Sequence, residues 1–173
     1  MDQNPTFGFF TVERDREYLH GTISLAESAV AHGNTPFGAL LAGPDGQVLM
    51  EQENVERTGH DCTGHAETAL VRRASSRFSR EFLAGCSLYT SVEPCAMCAG
   101  AIYWSGIGRV VFGMSERHLL ELTGNDPRNP TMDLPCREVF ARGQRTIVVV
   151  GPFSDLQAEL EAVHQRYWGK REE

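Results

Sequence analysis

The sequence has no apolar run of membrane-spanning length, and its first residues lack the basic-then-apolar pattern of a secretory leader. It is also short of positive charge: 16 Lys and Arg face 23 Asp and Glu, for a formal net charge of −7. That is the wrong sign for a chain living on phosphate backbones, although a local basic groove could still form. Cysteine is scarce and odd in number, five in all, with two in a Cys-x-x-Cys. This argues against a disulfide scaffold and for reduced thiols in the cytoplasm, some of them metal ligands. Internal repeats, low-complexity tracts and an interdomain linker are missing too. What remains is ordinary globular composition, 41% hydrophobic and 23% charged in 173 residues, suited to one domain over residues 1–173.

Hydrophobic periodicity orders the chain. Residues 1–12 show no period and read as a loose N-terminal arm. Leu19, Ile23, Ala26 and Val30 predict an amphipathic helix over about 13–32, ended by Gly33-Asn34 and Pro36. Phe37 to Ala42 and Gln47 to Glu51 flank Gly43-Pro44-Asp45-Gly46, which reads as a β-hairpin. After a polar, irregular stretch from Asn54 to Gly64, a helix starts near His65 with Ala66, Leu70, Ala74 and Phe78 on one stripe. Cys86 to Val92 reads as a strand running into Glu93-Pro94. The helix from Cys95 to Trp104 is apolar nearly all round and is expected to be fully buried.

Arg109 to Gly113 is the next strand, and Met114 to Thr131 is the least regular stretch, its Gly and Pro residues forbidding a long helix. A short helix over Leu134 to Arg142, a buried β-branched strand over Thr146 to Val150 and a final amphipathic helix ending in Tyr167-Trp168 complete the chain. The order predicts an α/β protein with a five-stranded mixed sheet and helices on both faces. A helix between the last two strands lets them run parallel.

The chemistry gathers in two short strings, His65-Ala66-Glu67 and Pro94-Cys95-Ala96-Met97-Cys98. Two sulfurs three residues apart leave one face of a helical turn. Catalytic zinc takes three protein ligands and keeps a fourth position for water. His65, Cys95 and Cys98 supply three, and one Zn2+ per chain is the expected cofactor. Helix N-termini favour thiolate over thiol, and water on the metal would have its pKa lowered towards ~7, making hydroxide the nucleophile. Glu67 is the natural proton shuttle, from water to a ring nitrogen and then to a departing amine. That set suits attack on an amidine-like ring carbon with ammonia leaving; the pairing of these two strings is a known signature of zinc deaminases. A structural site would need a fourth ligand, for which Cys62 and Cys86 are available, and would make the chain a non-catalytic, zinc-stabilised interaction module.

These residues resemble the cytidine/deoxycytidylate deaminase superfamily, in the branch of guanine deaminases, fungal-type cytosine deaminases and tRNA adenosine deaminases. The resemblance is carried by Pro36-Phe37-Gly38-Ala39, Asn54, His65-Ala66-Glu67, the run from Tyr89 to Ile102, and Arg109 to Gly113, and covers about residues 14–113 well. It implies a three-layer α/β/α cytidine-deaminase-like fold, a homodimer, and a nucleobase or related amino-heterocycle as substrate. It also implies that Asn54, eleven before His65, hydrogen-bonds the base, that Phe37 stacks on it, and that the Ala66 backbone N–H meets its carbonyl oxygen.

Guanine leads as substrate and cytosine follows. Ala101-Ile102-Tyr103-Trp104 is similar to the guanine deaminases, and Asp126, 28 residues after Cys98, stands where those enzymes carry a base-reading Asp. Tyr167 and Trp168 resemble C-terminal aromatics that close base pockets, with Trp104 and His118 as further pocket candidates. A tRNA adenosine-to-inosine deaminase is the alternative. Against it, residues 154–173 hold five acids and three bases, without the basic C-terminal helix that phosphate contacts need.

Overall fold

A computed structural model describes residues 7–124 and 126–169. The first helix, α1 (Val12–Ala31), begins where Thr11 Oγ1 accepts the Arg14 N–H at 3.3 Å, and Glu13 and Asp15 sit in its first, dipole-positive turn. Leu19, Ile23 and Ala26 form its buried stripe. It lies so close to the first strand that a Cβ on Gly38 would stand 2.5 Å from the Thr22 carbonyl oxygen. Only glycine permits that approach.

The remaining elements are β1 (Gly38–Ala42), β2 (Val48–Glu53), α2 (Ala66–Ser75), α3 (Arg80–Ala84), β3 (Ser87–Val92), α4 (Ala96–Ser105), β4 (Arg109–Met114), α5 (Glu116–Thr123), α6 (Cys136–Ala141), β5 (Val148–Val150) and α7 (Gln157–Trp168). The sheet order is β2-β1-β3-β4-β5. β1 is antiparallel to both neighbours, whereas β3, β4 and β5 run parallel, as the helical connections require. Helices cover both faces. On one, Leu70, Leu83, Ile102 and Phe140 pack with Leu41, Leu88 and Val110; on the other, Leu19, Leu119 and Leu160 pack with Leu40, Tyr89 and Val111. This alternation along each strand is what a sheet buried on both faces demands.

Several expectations need correction. Met1 to Thr6 of the arm lie outside the described residues, but Phe7 to Phe10 form a hydrogen-bonded turn, and Phe10 packs 6.3 Å from Tyr89 and 5.1 Å from the Arg109 guanidinium. That guanidinium is buried and paired with Asp15 at 2.6 Å, so an aromatic cover shields it from water. α4 is not buried all round: Cys98, Ala99 and Ile102 face the sheet, while Met97 is 37% and Trp104 73% exposed because no layer lies outside it. β5 is an edge strand with Val148 40% exposed, since only β4 pairs with it. The stretch after Met114 starts with a helix, α5, capped by Ser115 Oγ on the His118 N–H at 3.1 Å. Gly124 ends it.

Candidate active site and metal centre

The sheet's directions bring the functional segments to one edge. β3 and β4 end there, paired at Val92 and Met114; β1, running oppositely, starts there, and β2 ends there opposite Gly38. Ligand sites collect outside the carboxyl ends of parallel strands because the chain reverses there and leaves a crevice. Here that crevice is a cavity of about 340 Å³, with Phe37, Glu56, Glu67, Glu93, Glu116 and Arg128 among its walls.

His65 and Cys95 are the N-cap residues of α2 and α4, both in extended backbone and neither side chain capping its helix. Their side chains are therefore available to the cavity. His65 Nδ1 lies 3.6 Å from the Sγ of Cys95 and 3.6 Å from that of Cys98. A nitrogen and a sulfur sharing one tetrahedral zinc at about 2.0 and 2.3 Å would stand roughly 3.6 Å apart, so this donor set fits zinc. Among the described residues the cluster is limited to these three; neither Cys62 nor Cys86 joins it, and Cys86 is buried in the core. Among the described residues a structural four-ligand site therefore lacks its fourth side chain.

The local electrostatics agree. The neighbouring Cys98 thiol and His65 hold Cys95 ionised down to about 4. Cys98, deeply buried beside Cys95, is pushed up, and contact with Cys95 raises His65 to about 9. Three donors sharing protons in this way are poised to exchange them for a cation. Two helix N-termini point at the sulfurs and favour their negative charge. Thr68 Oγ1 lies 3.2 Å from Cys98 Sγ and steadies it.

Glu67 sits beside the cluster on the first turn of α2. One carboxylate oxygen accepts from Thr90 Oγ1 at 3.2 Å, and the other is 3.7 Å from Cys98 Sγ. Burial pushes its carboxyl up, with the Cys95 charge adding to the effect. A carboxyl so placed can both take and return a proton.

The other expected residues divide. Phe37 lines the cavity half-buried, and Ala66 is fully buried at the start of α2. Asn54 is 1% exposed, just behind the wall; its Oδ1 accepts the Glu56 N–H at 3.0 Å, which leaves its amide N–H groups to donate elsewhere. Asp126 lies outside this lining: its carboxylate holds Arg128 at 2.6 Å and is kept near 2 by that guanidinium. Arg128 in turn reaches the wall and the Trp168 carbonyl oxygen at 2.8 Å.

Four more candidates stand apart. Trp104 is on the far, exposed end of α4. His118 pairs with Glu161 at 2.7 Å, outside the cavity lining. The Tyr167 hydroxyl accepts from Arg57 at 3.1 Å, and Trp168 Nε1 donates to the buried His164 at 3.1 Å. Sequence reasoning overlooked Glu93, Glu116 and Arg128. An acid just after a capping serine normally marks only a solvated helix start.

With this geometry in hand, comparison with known proteins is direct. Residues 12–114 match the model of the cytidine and deoxycytidylate deaminase zinc-binding region. A probable cytosine deaminase of Schizosaccharomyces pombe is 37% identical over 156 residues, 90% of this chain and 93% of its own. The guanine deaminase of Bacillus subtilis is 42% identical over 89 residues, 51% of this chain and 56% of that protein, so the match spans little more than half of it. A solved structure from work on A-to-I editing by tRNA:A34 deaminases superposes with a TM-score of 0.65 at 28% identity, covering 85% of this chain and 97% of the other. The chain thus belongs to the zinc-binding cytidine and deoxycytidylate deaminase family, whose members are hydrolytic enzymes.

Proposed function

We propose that the protein hydrolyses the exocyclic amine from a free nucleobase or related amino-heterocycle, guanine first and cytosine next, and releases ammonia. The observation that carries this reading is the placement of Glu67 beside the His65, Cys95 and Cys98 donors on the wall of a cavity of about 340 Å³. His65, Cys95 and Cys98 would hold one zinc ion. When bound, zinc supplies a Lewis acid that makes water nucleophilic near neutral pH. Glu67 takes the proton from the attacking water, hands it to the ring nitrogen beside the reacting carbon, and then protonates the departing amine. Phe37 stacks on the ring, the Asn54 amide and the Ala66 backbone N–H donate to its polar edge, and Asp126 orients Arg128 at the wall.

Glu56 and Glu93, with Glu67 and Glu116 held towards the neutral form, give the cavity no basic lining beyond Arg128 and His65, which favours an uncharged ring over a phosphate-bearing chain. All five cysteines are free thiols, in keeping with work in the reducing cytoplasm. The apolar outer face of α4, with Met97 and Trp104 exposed, supports a homodimer joined there. Elution as a monomer at micromolar concentration would overturn that assembly.

The decisive experiment pairs Glu67→Ala with a substrate screen. The zinc-loaded wild type should release ammonia from free bases, and Glu67→Ala should keep its zinc while losing about a thousandfold or more in rate. Deamination surviving in Glu67→Ala overturns the proton role. Turnover of a tRNA anticodon stem alone would give the tRNA adenosine-to-inosine reading instead. No ammonia from any substrate, with zinc retained, would leave a zinc-stabilised interaction module.

A further inference from the structure

Four glutamates border the cavity, and three are accounted for by what they touch or where they lie. Both oxygens of Glu93 accept backbone N–H groups, from Cys136 at 2.9 Å and Glu116 at 3.2 Å. Glu67 is held by Thr90 beside Cys98, and Glu56 stands at the outer wall, only half-buried. Glu116 is different. It is 7% exposed, it borders the cavity, and among the described residues its carboxyl has no hydrogen-bond partner. Its backbone is fixed on both sides: its own N–H is pinned by Glu93, and Ser115 before it caps α5. A rigidly mounted carboxyl that opens onto a cavity and has no protein partner is placed to meet a ligand there.

We infer that Glu116 is a specificity-determining residue, whose carboxyl pairs with the adjacent N–H and C=O of the heterocycle. The inference rests on the nucleobase reading above. Burial, and then the negative charges of Cys95, Glu67 and Glu93, push Glu116 up to about 8 against the smaller opposing influence of His65. A carboxyl kept neutral offers an O–H donor and a C=O acceptor side by side, whereas a carboxylate only accepts. An N–H/C=O edge needs one of each. A ring lacking that edge would leave the buried acid unpaired, and such mismatches discriminate strongly.

The test compares zinc-loaded wild type, Glu116→Ala and Glu116→Gln on two substrate pairs: guanine with 2-aminopurine, and cytosine with 4-aminopyrimidine. The second member of each pair lacks the N–H/C=O edge. Glu116→Ala should lose about 50-fold in kcat/KM on the complete base, mainly through KM, and less than about threefold on the stripped one. Glu116→Gln, which keeps a planar donor and acceptor, should restore the complete base to within about fivefold of wild type. Equal losses on both members of a pair would mean a structural role and overturn the inference; so would no loss on either. Should Glu116→Ala melt or lose zinc, Glu116→Asp, one methylene shorter, should lose preference for the complete base by about tenfold, and retained preference overturns the inference. If the wild type itself deaminates none of the four rings, the nucleobase reading falls, and this inference with it.

Discussion

Glu93 and Cys136 meet across 43 residues of sequence, where a Glu93 carboxylate oxygen accepts the Cys136 backbone N–H at 2.9 Å. With its second oxygen on Glu116 N–H, this one side chain ties the end of β3 to the starts of α5 and α6. Those N–H groups belong to helix first turns and have no intrahelical partner. Glu93→Ala would orphan both in a buried place and should cost about 2–4 kcal/mol in urea unfolding. Glu93→Gln, which keeps an accepting oxygen, should cost less.

The Asp15–Arg109 pair predicts asymmetry between single and double substitutions. Arg109 donates to both Asp15 oxygens, to the Tyr89 hydroxyl and to Ser87, all buried. Asp15→Ala alone strands a guanidinium in the core and should destabilise by about 3–5 kcal/mol. Combining Asp15→Leu with Arg109→Met should recover a large part of that loss, measured by chemical denaturation.

Metal removal should register in stability as well as in rate. Chelation leaves the His65, Cys95 and Cys98 donors as an uncompensated buried cluster between the starts of α2 and α4. Re-adding zinc at a thousandfold above its dissociation constant should restore about 4 kcal/mol, seen as a rise in melting temperature. Cys98→Ala should lower the bound metal and abolish most of that rise.

His164 makes acid stability pH-dependent. It is 1% exposed between the Phe37 ring, 5.3 Å away, and Trp168, and burial holds it down to about 4. The unfolded chain, with an ordinary histidine near 6.5, therefore binds the proton first as pH falls. Stability is fully present above about 6.5 and is lost between there and about 4, by roughly 3 kcal/mol from this residue. Unfolding free energies at pH 7, 5.5 and 4.5 should fall more steeply for wild type than for His164→Phe.

Most of the sheet and the metal cluster are legible in the sequence because both rest on local signals. The helical stripe through Leu19 and Ile23, the turn at Gly43–Gly46 and the short spacing within His65-x-Glu67 and Cys95-x-x-Cys98 each act over a few residues. α3 and α5 are harder to read, being five and eight residues long, too short for periodicity to stand out beside their Gly and Pro neighbours. The exposure of Trp104 and Val148 is invisible for another reason: an apolar residue does not disclose which face another layer covers. Glu116 depends on long-range packing, and the Asp126–Arg128 pair on a turn that brings the guanidinium, rather than the carboxylate, to the cavity. Spacing along the chain cannot express either.

The two tryptophans of the chain occupy opposite environments, Trp104 at 73% exposure on the outer face of α4 and Trp168 at 8% beside His164. They form a pair of built-in optical reporters. Acrylamide should quench Trp104 in the isolated subunit and lose access to it in the proposed α4 dimer, while Trp168 fluorescence should shift red only when α7 leaves the sheet. A single emission spectrum can then separate subunit dissociation from unfolding, and single replacements by phenylalanine would assign each band.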